Sequence, residues 1–269
     1  MKKIIASIIL SASLASLTYA QEGQFKLSKK TGTLNLNISG VSVEGYDGSE
    51  IIFSAPVLAV KDERAAGLKL LSGSGLTDNT GINLSVREKA GNIDVDYVGK
   101  QEGGPITVKV PNTMSLKVIT TGTVNSDGAV EVKDFKGELE ISTMYNMISL
   151  ENITGPVNAK TIYGELNAKF VSGVKGPVSL VSLFTHVDVT IPASLKANVN
   201  LSTLDGNIYA ADGLDIARAT PKQEKKSDEQ DGTELKIGGG STDIKGTLNG
   251  GGVDLILKTT YGKIYLRKN

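Results

Sequence analysis

The 269-residue sequence has no cysteine and no tryptophan, a single histidine, and aromatic residues at only 5%. Without cysteine there is no disulfide framework, no thiolate metal site and no acceptor for an N-terminal lipid. Fold stability then has to come from burial and backbone pairing. The lone histidine, His186, leaves no two-histidine metal site and no partner set for a nucleophilic triad; alternation points it outward as a solvated surface group. The missing tryptophan also removes the aromatic girdles expected of an outer-membrane barrel. Asp188, Asp205 and Asp215 are scattered along the repeats, and none of the four arginines, Arg64, Arg87, Arg218 and Arg267, is expected near the acidic corners. A polysaccharide lyase on a β-helix needs such groups clustered, so that enzyme class is not expected. Neither charge sign dominates, with 29 basic and 29 acidic residues, so nothing favours nucleic acid or an anionic bilayer.

What is present begins with an export signal. Lys2 and Lys3 precede an apolar run from Ile4, and Thr18-Tyr19-Ala20 closes it before Gln21. This pattern predicts a signal peptide over residues 1–20 and a mature chain from 21 to 269 in the periplasm or at the cell surface. No later apolar run is long enough for a transmembrane helix.

The mature sequence repeats. GELEISTMYNMISL (137–150), GPVNAKTIYGELNA (155–168), GPVSLVSLFTHVDV (176–189) and NVNLSTLDGNIYA (198–210) align, and GVDLILKTTYGKIYLRK (252–268) is a further copy. Apolar columns alternate on both arms: Leu139, Val157, Val178 and Val199, then Ile141, Ala159, Leu180 and Leu201, and past the corner Ile148, Leu166, Val187 and Ile208. Period-two alternation predicts strands with one face in a core, and columns recurring every ~20 residues predict coils stacked in parallel register. The same grammar reaches back through 82–98, with a corner at Ala90-Gly91, through 40–55, with a tight turn at Asp47-Gly48, and to Phe25. Residues 61–71 break it and predict a short helix; 217–236, charged and without large apolar residues before Leu235, predict a mobile solvated loop. The expected fold is all-β, one β-solenoid or parallel β-helix-like stack of ~20-residue coils.

DNTGINLSV (78–86), the repeated T-x-Y-G corner and LNGGGVDLILKTTYGKIYLRK (248–268) resemble the bacterial putative-adhesin family of β-strand-repeat proteins, related to the head-GIN-domain putative autotransporter adhesins. The resemblance covers roughly residues 25–269. It implies a solenoid-like fold, export and an adhesin-type role, and brings no catalytic residues.

Candidate sites are few. Tyr145, Tyr163, Phe184 and Tyr261 precede the corner in successive copies, as a binding column or, more simply, as packing at the coil edge. Thr143, Thr161, Ser182 and Thr203 form a small hydroxyl column suited to satisfying backbone groups at a tight corner. Gly238–Gly240 and Gly250–Gly252 precede strands without the lysine and helix of a phosphate loop, and read as turns. No cofactor, metal site or catalytic residue is expected. The expected function is a non-enzymatic exported module that contacts a protein or glycan partner at the cell envelope. A periplasmic structural or signalling accessory and, more remotely, a carbohydrate-active enzyme are the alternatives.

Overall fold

The computed structural model describes residues 22–56, 64, 67–68, 72–99, 104–120, 128–171, 173–218 and 241–269. The leader, most of 61–71, and 219–240, including the first triple glycine and most of the charged 217–236 stretch, lie outside the described residues. All described elements are β-strands, so the all-β expectation holds. They form a sheet of ten strands and a facing sheet of eleven.

The strands that carry the stack come in pairs, one per sheet. In chain order these are β2 (Thr33–Asn37) with β3 (Val41–Tyr46), β6 (Asn92–Tyr97) with β7 (Ile106–Pro111), and β8 (Ser115–Thr120) with β9 (Val130–Lys133). They continue as β10 (Leu139–Thr143) with β11 (Ile148–Glu151), β12 (Val157–Thr161) with β13 (Leu166–Lys169), and β14 (Val178–Ser182) with β15 (Val187–Ile191). Last come β16 (Ala197–Thr203) with β17 (Ile208–Ala210), and β20 (Val253–Thr259) with β21 (Ile264–Lys268). Neighbouring pairs are parallel and in register. One continuous column in the larger sheet is Ile93, Leu34, Leu116, Leu139, Val157, Val178, Leu255 and Val199. The matching column opposite is Ile106, Val41, Val130, Ile148, Leu166, Val187, Ile264 and Ile208. Nearly all of these side chains are buried, and the two columns meet in one core.

The spatial order differs from the chain order at both ends. The pair β2–β3 lies between β6–β7 and β8–β9, and the closing pair β20–β21 lies between β14–β15 and β16–β17. The fourth central copy therefore stacks on the closing copy, not on the third. The two skipped positions coincide with the proline links expected to end strands, Pro111 to Met114 and Pro192 to Lys196. Each link carries the chain from the ten-stranded to the eleven-stranded sheet past an inserted pair. Equivalent apolar columns make this possible, since any coil presents the same inner face to its neighbours.

Local features differ from the expected grammar as well. The Ala90-Gly91 corner is the turn of an antiparallel hairpin, β5 (Leu84–Lys89) on β6, with positive φ at both residues. That matches the left-handed turn that the strand twist requires. Asp47-Gly48 does not join paired strands, because β7 lies between β3 and β4 (Ile51–Pro56). Likewise β16 separates β19 (Thr242–Leu248) from β20 across Gly250–Gly252. The β pattern also continues past residue 216, as β18 (Ile216–Arg218) antiparallel to β19. Antiparallel strands thus cover both ends: β5 on β6, β4 on β7 with β1 (Glu22–Leu27) outside it, and β19 with β18 beyond β16. A parallel stack leaves its end coils with open edges; these antiparallel strands cover them except at β17, which remains the last strand of the ten-stranded sheet.

The side of the stack where the chain passes to the next coil is plugged by Phe135, Ile153 and Phe170, all buried. Outside it, Asp47 ties three coils together. Asn112 Nδ2 donates to Asp47 Oδ1 at 2.8 Å, Lys136 Nζ lies 2.9 Å from Oδ2, and the Lys136 N–H donates to Asn112 Oδ1 at 2.9 Å. The amide of Asn112 and then the Lys136 ammonium hold the Asp47 carboxyl below its ordinary pKa. A depressed carboxylate contributes stability above its unfolded pKa and loses it as pH falls through the lower folded value. Asp47 is exposed, so its titration is the direct readout of these contacts. A carbon-detected NMR titration should place the Asp47 midpoint below that of an unpaired aspartate, and Asn112→Ala should move it back up. An unchanged midpoint in the variant would assign the shift to Lys136 alone.

Candidate functional site

The side opposite the plugs carries the corners, and each corner is built from four residues with defined tasks. The hydroxyl column faces inward and is buried: Thr143, Thr161, Ser182, Thr259 and Thr203. Each member serves backbone groups of the turn. Thr143 Oγ1 donates to the Asn146 carbonyl at 3.0 Å, Ser182 Oγ to that of Gly164 at 3.1 Å, and Thr259 Oγ1 to that of Thr185 at 3.0 Å. Thr161 and Thr259 also accept from the N–H groups of Gly164 and Gly262, both at 3.0 Å. The hydroxyls are committed to the corner, as their size and position predict, and are not open to a ligand.

The residue before each corner points out. Its N–H donates to the adjacent coil: Tyr163 to the Met144 carbonyl at 2.8 Å, Phe184 to Ile162 at 3.0 Å, and Tyr261 to Leu183 at 2.9 Å. These backbone bonds set the rings one coil apart. Ring centroids from Tyr145 to Tyr163, Tyr163 to Phe184 and Phe184 to Tyr261 are separated by 5.2, 4.9 and 5.3 Å, with planes within 15° of parallel. The structure therefore brings all four expected residues into one unbroken ladder. Tyr163, Phe184 and Tyr261 remain 49%, 45% and 56% exposed, so the ladder is a surface feature and not a buried plug. Chain order would have put Asp205 after Phe184. The inserted closing coil puts Tyr261 there and moves Asp205 to the ladder's end, its N–H donating to the Thr260 carbonyl. Met147, two residues past Tyr145, and Leu204, next to Asp205, are also exposed. The result is a line of exposed aromatic rings along the edge of the stack.

Ladder rings also stabilise the stack. An aromatic pair of this geometry contributes about 0.5–1.5 kcal/mol beyond its buried area, and Phe184 belongs to two. Phe184→Ala is expected to lower unfolding free energy by roughly 1–2 kcal/mol, read from the denaturant midpoint. A loss no larger than that of an isolated surface apolar residue would show that the rings do not support one another.

A second surface group was not legible in the sequence. On the outer face of the ten-stranded sheet, Tyr209 and Tyr265 stack at 5.3 Å, and His186 meets the Tyr265 edge at 6.0 Å. Arg267 binds Asp188 through two 2.7 Å hydrogen bonds and lies 5.5 Å from the Tyr265 ring centre. Asp188 holds the Arg267 guanidinium pKa above its ordinary value. The expectation that the arginines stand apart from the acids fails here, because β21 lies beside β15 and joins residues 79 positions apart. The recurrence of IYA (208–210) in IYL (264–266) was the one available signal. It has meaning only once β21 is known to neighbour β17. His186 is partly exposed, with Nε2 3.8 Å from Glu165.

Among the described residues, no three His, Cys, Asp or Glu side chains lie together as metal ligands. No helix there is long and apolar enough to cross a membrane. At the β17 end a cleft of about 510 Å³ is lined by Leu201, Ile208, Leu214, Ile216 and Ile244, where the smaller sheet stops and β19 and β18 continue the other.

No family model matches the sequence, and no curated protein matches it. Two solved structures are similar over most of their length. One is a putative cell adhesion protein from Clostridium sporogenes, 10% identical, with a TM-score of 0.45, covering 93% of this chain and 99% of that one. The other is a putative adhesin from Bacteroides fragilis, 9% identical, with a TM-score of 0.39, covering 92% and 98%.

Proposed function

We propose that this chain is an exported, non-enzymatic interaction module of adhesin type. In this reading the stack is a rigid solenoid-like scaffold, and the Tyr145–Tyr163–Phe184–Tyr261 ladder is its contact surface for a protein or glycan at the cell envelope. The observation that carries the proposal is the ladder itself: four stacked rings set one coil apart by backbone bonds, with Tyr163, Phe184 and Tyr261 about half exposed and Tyr145 half-buried. Rigid aromatic side chains provide contact area at small conformational cost, and tyrosine adds a hydroxyl for hydrogen bonding. The inner polar groups are spent on the fold, so recognition falls to the outer face. The resemblance of 248–268 to an adhesin family supports the same reading.

Mature protein displayed against extracellular-matrix proteins and a glycan array should bind at least one of them. Tyr163→Ser and Phe184→Ser together should weaken that binding about tenfold or more, with an unchanged circular dichroism spectrum, as for central aromatic contacts elsewhere. No ligand on either panel would sink the proposal. Protease treatment of intact cells should cleave a surface-exposed chain. Full protection would favour the periplasmic accessory reading, in which the ladder serves the stack alone.

A further inference from the structure

We propose that the open edge of β17 and the cleft beside it receive an extended peptide from a partner protein, with apolar residues at alternate positions and lysine or arginine at both ends. The backbone sets the first requirement. The Ile264 N–H donates to the Asn207 carbonyl at 3.0 Å, and the Ala211 N–H to that of Leu266 at 2.8 Å, so Asn207, Tyr209 and Ala211 turn their backbone groups toward β21. Such groups alternate sides along a strand, which leaves the N–H and C=O groups of Ile208 and Ala210 on the other edge. Among the described residues no strand pairs with that edge. An acyl chain or other purely apolar ligand would bury these groups unpaired, whereas an added strand supplies the donors and acceptors they need.

The two sheets set the second requirement. Beyond β16 the larger sheet continues through β19 and β18, while the smaller sheet stops at β17. Leu214, Ile216 and Ile244 wall the cleft, Ile208 lines it from β17, and all four are only partly buried. Ile208 and Ala210 face inward, because Tyr209 between them stacks on the outer face. A strand laid beside β17 turns every second side chain onto this wall, so those residues must be apolar. Charge sets the third. Exposed acids stand at both ends of β17, Asp205 before it and Asp212 and Asp215 after it. Among the described residues none of the three is in an ion pair, and Arg218 is the one cation lining the cleft. Basic ends on the peptide complement these acids. The strand already on the other edge of β17 has this form. It reads KIYLRK (263–268), with Ile264 and Leu266 buried between basic ends. Its Lys268 Nζ reaches the link after β17, 2.8 Å from where a Gly213 Cβ would lie.

The probe is the acetylated and amidated peptide KIYLRK, added to the mature chain (21–269) and followed by NMR. Amide shifts should move at Ile208, Ala210, Ile216 and Ile244 and stay fixed at Val187–Ile191 of β15, where movement would mean that the peptide had displaced β21. The peptide EIYLEE should bind at least tenfold more weakly. Two further peptides carry backbone N-methyl groups, one on its isoleucine and leucine, the other on its tyrosine and arginine. Only one set of N–H groups can face β17, so one of these peptides should lose at least tenfold in affinity while the other keeps it. Ala210→Pro removes an edge N–H and no bond to β21, and should weaken binding of KIYLRK at least tenfold with an unchanged circular dichroism spectrum. The proposal is overturned if KIYLRK does not bind or displaces β21, if EIYLEE binds as well, if the two N-methylated peptides bind equally, or if a folded Ala210→Pro variant binds as wild type does. It is also overturned if replacing 219–240 by a glycine–serine stretch of the same length tightens peptide binding at least tenfold, because the occupant would then be the chain's own segment.

Discussion

Gly262→Ala is expected to destabilise the protein by about 3 kcal/mol or more, the upper end of overpacking substitutions. In a chain of this length that lowers the thermal midpoint by roughly 6–12 °C. The cause is proximity between coils and not backbone conformation. Gly262 lies at the corner of the inserted closing coil, and a Cβ there would overlap the backbone carbonyl of Thr185 in the adjacent corner. That carbonyl accepts from Thr259 Oγ1, and the Gly262 N–H donates to the same hydroxyl. Neither backbone can withdraw without breaking this set and the Tyr261 N–H bond that positions the ladder. A control separates crowding from conformational strain. Gly250 has a positive φ of 83° but open space where its Cβ would be, so Gly250→Ala should cost only about 1 kcal/mol. Equal effects at the two positions, or a midpoint for Gly262→Ala within a degree of wild type, would contradict the close coil contact.

Leu257→Ala is expected to cost about 2–5 kcal/mol, the full penalty of an interior leucine. Its position suggests otherwise, because the last repeat copy in sequence order, 252–268, would in a simple chain-order stack be an end coil with one face open. In the structure Leu257 is fully buried between Leu180 and Leu201. Leu180→Ala should therefore cost a similar amount, and urea midpoints of the two variants measure this. Native-state hydrogen exchange gives an independent reading. The amides of Leu257 and Leu266 should exchange among the slowest in the molecule, whereas a terminal coil frays and exchanges fast. Rapid exchange there, with a small loss for Leu257→Ala, would place the closing coil at the end of the stack.

The fold was legible in the sequence wherever a residue's task is local. Alternation across 139–143, 157–161 and 178–182 identified the strands and their inward faces, and the buried positions observed there are the expected ones. The hydroxyl column was readable because a threonine three residues before a corner glycine has one nearby donor to satisfy, and Thr161 and Thr259 do so. The candidate ladder was named in full. Its continuity was not, because Tyr261 and Phe184 are 77 positions apart and touch only through the insertion. The same insertion hid Tyr209 beside Tyr265 and Arg267 beside Asp188. The tight-turn signal at Asp47-Gly48 suggested adjacent strands, but β7 takes the place beside β3 that β4 would have filled.

By itself, then, the sequence determined the kind of element, the inward face of the repeated strands and the form of the corner, because all of these follow from interactions within about twenty residues. It could not determine which coil rests on which. Val178, Leu255 and Val199 are nearly interchangeable as members of one column, as are Leu180, Leu257 and Leu201, so local packing barely distinguishes the possible orders. Only the tertiary structure, in which β2–β3 and β20–β21 are inserted between other pairs, decided that order, and with it the aromatic ladder on the surface.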